Sequence, residues 1–341
     1  MVKSAGKGFS RRQAGVVVGL VFLFLLVGQA GYSPSAAFAQ GSYVGYTCLR
    51  ATHRQSSAEI TVDEPACTQT DVDGWFEISG SSVREKIWAC VKGPGGEVNV
   101  YPIEVKEGKF AQKIWLRYGS GSYGVWVDGN PRRYSGEIYF TVVNSAGRDI
   151  AFEAPSGYIN CDDPEIIALA QSITASACLR ATHRQAGTAD KGAPGEREKA
   201  LAIHDWVAKN ISYDYTLYKT GDQTIVNTSK DVLKAKTGLC RDYAFLTAAL
   251  GRAAGIKTRV VYGQAKSSTC TTSTADRNDD WINHAWNEMC LDGKWVAVDA
   301  SWDAGYIKNG RYVKSPAPAR KFFAFATGQG TTHVAGTVSR D

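Results

Sequence analysis

Apolar residues fall along this chain in two different periods, and the change between them divides it. From Trp75 to about Pro155, runs of strand length recur at 87–91, 98–105, 114–116, 123–127 and 138–143. Turn-forming stretches separate them: Gly93-Pro94-Gly95-Gly96, Gly108, Gly119-Ser120-Gly121 and Asp128-Gly129-Asn130-Pro131. Short strands with aromatic and β-branched filling at this spacing predict a small antiparallel β-sandwich over residues 73–158. A sandwich by itself carries no chemistry and serves equally as a spacer or an adhesive module.

The second half changes to helical spacing. Asp163-Pro164-Glu165 reads as a cap and first-turn proline opening a helix that carries Ile166, Ile167 and Leu169. Residues 186–195 are polar and loop-like, and 196–209 return to a helix with Leu201, Ile203, Trp206 and Val207 as its core stripe. A short helix follows Ser229, the chain breaks at Thr237-Gly238, and residues 240–254 predict a helix ended by Gly255. Residues 258–262 read as a strand, and 281–291 and 294–302 as two more, joined in a hairpin at Asp292-Gly293. The expected architecture is α+β, a mixed domain at residues 161–341 behind the sandwich.

The N-terminal pattern differs again. Lys3, Lys7, Arg11 and Arg12 precede a 12-residue apolar run at 16–27 and an Ala37-Phe38-Ala39 cleavage signal. Residues 1–39 are therefore expected to be a signal peptide, with 40–72 an N-terminal segment of the mature chain. The competing reading is an uncleaved anchor, although the run falls short of the ~20 residues that span a bilayer. Removal of those 39 residues changes the charge picture. Four of the 39 basic residues precede Gln40, leaving 35 against 33 acidic ones, a net +2. No clustered basic excess remains to suggest a nucleic-acid partner. The expected setting is secreted, extracellular or at the cell surface, with no stable membrane span after cleavage.

Eight cysteines, all beyond residue 39, would meet an oxidising compartment. None has zinc-ligand spacing. The octapeptide Cys48-Leu49-Arg50-Ala51-Thr52-His53-Arg54-Gln55 recurs identically at residues 178–185. It reads either as a local duplication or as two docked copies joined by a Cys48–Cys178 disulfide.

Three islands carry the candidate chemistry: Gly238-Leu239-Cys240-Arg241-Asp242-Tyr243-Ala244, His284-Ala285-Trp286-Asn287-Glu288 and Val298-Asp299-Ala300-Ser301-Trp302-Asp303. A cysteine at a helix start faces free N–H groups and the positive end of the helix dipole, which favour thiolate. Gly238 allows the tight entry turn. A two-residue Asp292-Gly293 turn pairs Leu291 with Lys294, Trp286 with Asp299 and His284 with Ser301. His284 and Asp299 then lie diagonally adjacent on one face. Nucleophile, base and orienting acid are the inventory of thiol acyl transfer.

These islands resemble the transglutaminase-like core, and Ala202-Ile203-His204-Asp205-Trp206-Val207 with Ile211-Ser212-Tyr213-Asp214-Tyr215 resembles the segment preceding it in bacterial members. The resemblance spans roughly residues 161–306. It implies a papain-like α+β fold with Cys240 as nucleophile, His284 as base and Asp299 as orienter. The implied reaction attacks a carboxamide or peptide carbonyl of a protein or peptide substrate, with the cell envelope as one expected source. A thioester then goes to an amine or to water, giving crosslinking, deamidation or proteolysis. The Cys240 N–H is a natural oxyanion donor, and Trp206 and Tyr213 are candidates for a second. Trp286 and Trp302 either wall the cleft or fill the core. His204 reads as structural, and His333 sits in a Gly/Thr-rich tail. Calcium-dependent relatives exist, but no loop has EF-hand spacing, and neither metal nor other cofactor is expected. The alternative is a non-catalytic cell-surface or cell-wall binding protein that keeps the fold.

Overall fold

The computed structural model describes residues 57–66, 71–131, 138–145, 147–184, 195–221, 226–266 and 281–340, without the side chains of 178–184. The expectations for residues 1–39, the start of the N-terminal segment and the Cys48–Cys178 bridge lie outside the described residues. Every described residue belongs to one compact unit, Tyr32–Asp341.

Eight strands build the first layer pair: β1 (Ile60–Glu64), β2 (Asp71–Val72), β3 (Trp75–Ser82), β4 (Lys86–Lys92), β5 (Val98–Glu104), β6 (Lys109–Trp115), β7 (Gly121–Asp128) and β8 (Ile138–Asn144). They form a sheet of order β1-β3-β6 and another of order β2-β8-β7-β4-β5. Strict alternation turns Tyr123, Val125 and Val127 of β7 inward. There they share one core with Phe76 and Ile78 of the facing sheet. The Phe76 and Phe140 rings meet edge to face at 6.1 Å.

The sandwich begins before the expected boundary at residue 73. β1 pairs antiparallel with β3, and β2 pairs parallel with β8. Both strands are short, five and two residues, so alternation alone has too few positions to reveal them. The connection after β8 is not a free linker either. Arg252 Nη1 donates to Ala154 O at 2.8 Å, Thr258 N to Phe152 O at 3.0 Å, and Ser229 N to Tyr158 O at 2.8 Å. The second half thus satisfies the connection's buried carbonyls in place of water.

That half contains α1 (Pro164–Arg184), α2 (Glu196–Asn210), β9 (Ser212–Tyr213), α3 (Tyr215–Thr220), α4 (Ser229–Ala235), β10 (Thr237–Gly238) and α5 (Cys240–Ala253). Then come β11 (Thr258–Lys266), β12 (Trp281–Leu291), β13 (Lys294–Val298), α6 (Ala300–Asp303), β14 (Gly305–Lys308), β15 (Arg311–Lys314), β16 (Phe323–Phe325) and β17 (His333–Ser339). Asp163 caps α1, its Oδ1 accepting from Glu165 N at 2.9 Å. Helix α5 is the central element, buried from Asp242 through Ala253. It packs on a five-stranded sheet of order β16-β13-β12-β11-β17, sharing a core with Val260, Ala285 and Met289. Asn287 Nδ2 donates to Ala244 O at 2.9 Å and pins β12 to the helix. Strand and helix together give a mixed α+β fold, as the sequence pattern predicts.

The hairpin follows the register that its turn dictates. Asp292 and Gly293 have φ of +51° and +76°, the type I′ geometry that matches strand twist. Leu291 pairs with Lys294 and Asn287 with Val298. The second strand is shorter than expected, however, and ends at Val298 rather than residue 302. Asp299 ends it by capping α6, its Oδ1 accepting from Ser301 N at 2.9 Å and Trp302 N at 3.3 Å.

Candidate active site

Four chain segments converge on the start of α5. Parallel pairing of β9 with β10 sets Thr237 beside Ser212 and Gly238 beside Tyr213. Cys240 follows as the first residue of the helix, half-buried and with a free thiol. Gly238 is required for close approach rather than for an unusual φ. A Cβ there would lie 2.5 Å from Asp242 Cβ. Asp242 reaches back across that gap, its Oδ2 accepting from Leu239 N at 2.8 Å. It thereby satisfies one of the first-turn donors and fixes how the chain enters the helix. Burial raises the Asp242 pKa, opposed by its bonds to Leu239 and Asn227.

His284, on β12, points its Nε2 at Asp299 Oδ2, 2.6 Å away. With Nε2 committed, Nδ1 is left for the thiol, and the imidazole shares a hydrogen bond with Cys240. Burial works against a charge on His284, but Asp299 and then Cys240 outweigh it and raise its pKa to about 10. Burial likewise opposes charge on Asp299, and the adjoining His284 and His333 overcome it, holding the carboxyl well below the usual carboxylate range. The carboxylate is saturated. Oδ1 accepts from Ser301 N, from the Ser301 hydroxyl at 2.7 Å and from Trp302 N, while Oδ2 accepts from His284 and lies 3.2 Å from His333 Nε2.

Cys240, His284 and Asp299 are therefore brought together as one hydrogen-bonded chain. Of the two oxyanion candidates, Tyr213 joins them. Burial and then the neighbouring Cys240 raise its phenol pKa. Trp206 holds its ring beneath Lys236 Nζ at 4.9 Å. Trp286 does not line a cleft. It is 1% exposed and belongs to a small core with Val261 and Ala297 on the sheet. Trp302 is half-buried, with its ring 5.2 Å from His284 and 5.0 Å from Phe322, so only this tryptophan of the two offers surface beside the imidazole.

His204 is structural, as its sequence setting suggests. Fully buried, its Nε2 lies 3.0 Å from Asp303 Oδ2 and its Nδ1 3.2 Å from Asp205 Oδ1. Asp303 also accepts from Phe322 N at 2.9 Å, so this network anchors α6 and the segment that carries Phe322.

Two members of the site were missed from sequence. Ser301 is buried and supplies two donors to Asp299; its Asp-x-Ser spacing is a cap signal hidden inside an assumed strand. His333, placed only in a tail, opens β17 and is fully buried against Asp299. A lone histidine beside Thr331 and Thr332 offers no sequence signal of that partnership.

His284, Asp299 and His333 bring one ligand atom each within 4.8 Å of one another, a donor set that could hold a transition metal. The geometry is that of hydrogen bonding instead. Two ligands of one tetrahedral ion stand about 3.3 Å apart, whereas the His284–Asp299 contact is 2.6 Å.

Residues 183–300 match the family model described as the transglutaminase-like superfamily. The chain is 29% identical over 110 residues to the kyphoscoliosis peptidase of Homo sapiens and 29% over 115 residues to that of Mus musculus. Those stretches are 32% and 34% of this chain, and they span only 16% and 17% of the relatives' length. Among solved structures, red sea bream transglutaminase aligns with 13% identity and a TM-score of 0.27, covering 73% of this chain and 51% of that one. The periplasmic domain of TgpA from Pseudomonas aeruginosa aligns with 14% identity and a TM-score of 0.29, covering 74% and 76%.

Proposed function

We propose, from the match of residues 183–300 to the transglutaminase-like superfamily, that the chain is a thiol acyl-transfer enzyme acting on protein or peptide amides. The observation that carries this reading is the continuous chain of hydrogen bonds from Asp299 through His284 to Cys240 at the start of α5. The Cys240 sulfur attacks the amide carbonyl carbon and forms a tetrahedral adduct. Its oxyanion faces the Cys240 N–H at the helix start, with the Tyr213 hydroxyl as the second donor. His284 gives its Nδ1 proton to the departing nitrogen, the C–N bond breaks, and a thioester with free amine or ammonia remains. An incoming amine or water loses a proton to Nδ1 and attacks the thioester, and the thiolate leaves. Asp299 holds the tautomer and balances the imidazolium throughout.

Incubation of the protein with a glutamine-rich protein and a fluorescent primary amine separates the outcomes. Amine incorporation indicates crosslinking, ammonia release without incorporation indicates deamidation, and new peptide termini indicate proteolysis. The reading requires at least one of these, lost in Cys240→Ala. If the unmodified protein shows none, it is overturned in favour of a binding protein that retains the fold. We further read residues 1–39 as a cleaved export signal. N-terminal sequencing of the exported protein should begin at Gln40, and a retained Met1 would contradict this.

A further inference from the structure

We propose that His333 is a positioning residue for the acyl-transfer site: its Nε2–H is a second donor to Asp299, which limits how strongly that carboxylate holds the His284 proton. The proposal rests on the reading of Cys240 and His284 given above. It concerns a residue beyond the 183–300 stretch of the family match.

The contacts around the ring fix its orientation. Nε2 lies 3.2 Å from Asp299 Oδ2 and Nδ1 lies 3.0 Å from the Thr332 hydroxyl. The carboxylate can only accept, so Nε2–H donates to it, and Nδ1 is left to the Thr332 hydroxyl. The backbone of His333 is held as well: Thr331 Oγ1 donates to its carbonyl at 2.9 Å, and β17 pairs along β11 from His333 opposite Ala265. The ring sits among Trp302 at 4.5 Å, Phe325 at 4.6 Å and Trp286 at 5.1 Å. Water is excluded from this carboxylate, so the second donor acts at close range in a poorly screened environment.

The consequence has a definite sign. A carboxylate already stabilised by His333 is a weaker acceptor for His284, so the imidazolium gives up its proton to a leaving nitrogen more readily. Removal of the second donor strengthens the grip of Asp299 on that proton. The other titratable groups at the site are Cys240 and the phenols of Tyr213 and Tyr243, both raised by burial, and these are common to all the variants below.

The test alkylates Cys240 with iodoacetate and with iodoacetamide from pH 5 to 11. The anionic reagent is favoured only while His284 is protonated, so the pH at which its advantage disappears reports the imidazolium. In His333→Phe, which refills the aromatic box without a donor, this midpoint should move up by about one pH unit. In His333→Gln, whose amide can donate from the same place, it should return to within a few tenths of the unmodified value. Thr332→Val, an exposed position, should shift it in the same direction as His333→Phe by a smaller amount. A His333→Phe midpoint equal to the unmodified one, or a folded His333→Gln that behaves like His333→Phe, overturns the proposal and assigns His333 to packing alone. If the unmodified protein gives iodoacetate no advantage at any pH, the reading of Cys240 and His284 itself fails, and this proposal with it.

Discussion

Asp299→Asn exchanges one carboxylate oxygen for an amide –NH₂ and should silence the site while leaving the fold in place. The amide oxygen must stay at the Oδ1 position, where Ser301 N, the Ser301 hydroxyl and Trp302 N all donate. That turns the amide –NH₂ toward the Nε2 atoms of His284 and His333, 2.6 and 3.2 Å from the present Oδ2. Two N–H groups cannot face each other at that range, so His284 must move its proton to Nδ1 and accept at Nε2. The nitrogen facing Cys240 is then a donor and cannot take the thiol proton. A triad with its orienting carboxylate replaced by an amide loses about a thousand- to ten-thousandfold in rate. Loss of charge from two hydrogen bonds, at roughly 1.5 kcal/mol each, should lower stability by about 3 kcal/mol. That corresponds to a melting temperature about 6 to 12 °C lower. The assay pairs iodoacetamide alkylation of Cys240 at neutral pH with a thermal melt. A folded Asp299→Asn protein that alkylates at the unmodified rate would refute the tautomer argument.

Three further outcomes follow from the same geometry. Gly263→Ala puts a Cβ 2.2 Å from Val334 O and 2.7 Å from Trp286 Cη2, so it should cost about 1–3 kcal/mol and speed amide exchange in β17; unchanged exchange would mean that the strand accommodates it. Stability should also depend on pH with a definite sign. The raised His284 contributes fully below its unfolded pKa of about 6.5 and loses that contribution as pH rises toward about 10. The depressed Asp299 contributes fully above its unfolded pKa of about 3.9 and loses that as pH falls toward its folded value. Urea midpoints should therefore fall from pH 6.5 to 10, and less steeply in His284→Gln; parallel curves would contradict the linkage. Finally, burial raises Cys90 to about 11, with Asp128 adding to it, and Cys161 to about 12 against the opposing Arg252. Peptide mapping after brief alkylation of the folded protein should find Cys240 modified and these two intact, whereas equal modification would refute the burial argument.

The parts of this molecule legible in its sequence are those in which local chemistry and tertiary structure agree. Asp292-Gly293 fixes a type I′ turn, and the turn fixes the register that brings β13 back along Asn287–Leu291 and delivers Asp299 from its end to His284. The apolar stripe of α5 and the glycine before Cys240 mark a helix start in the same local way. What escaped depends on distant contacts. β1 and β2 are too short to announce a sheet they join through pairing elsewhere. Asp299 was readable as a partner of His284 but not as the cap that turns the chain into α6. Trp286 and Trp302 share a residue type, and only packing decides that the first is core while the second borders the site. His333 reaches Asp299 because β17 lies along β11 where Gly263 lets two backbones approach, and no pattern within residues 331–339 encodes that.

The central claim is that His284 activates Cys240, and the second-order rate of Cys240 alkylation by iodoacetamide between pH 5 and 8 tests it most directly. The unmodified protein should react rapidly with little dependence on pH. His284→Ala should follow an ordinary thiol, rising about tenfold per pH unit toward 8.5. Coincident curves for the two proteins would contradict the account.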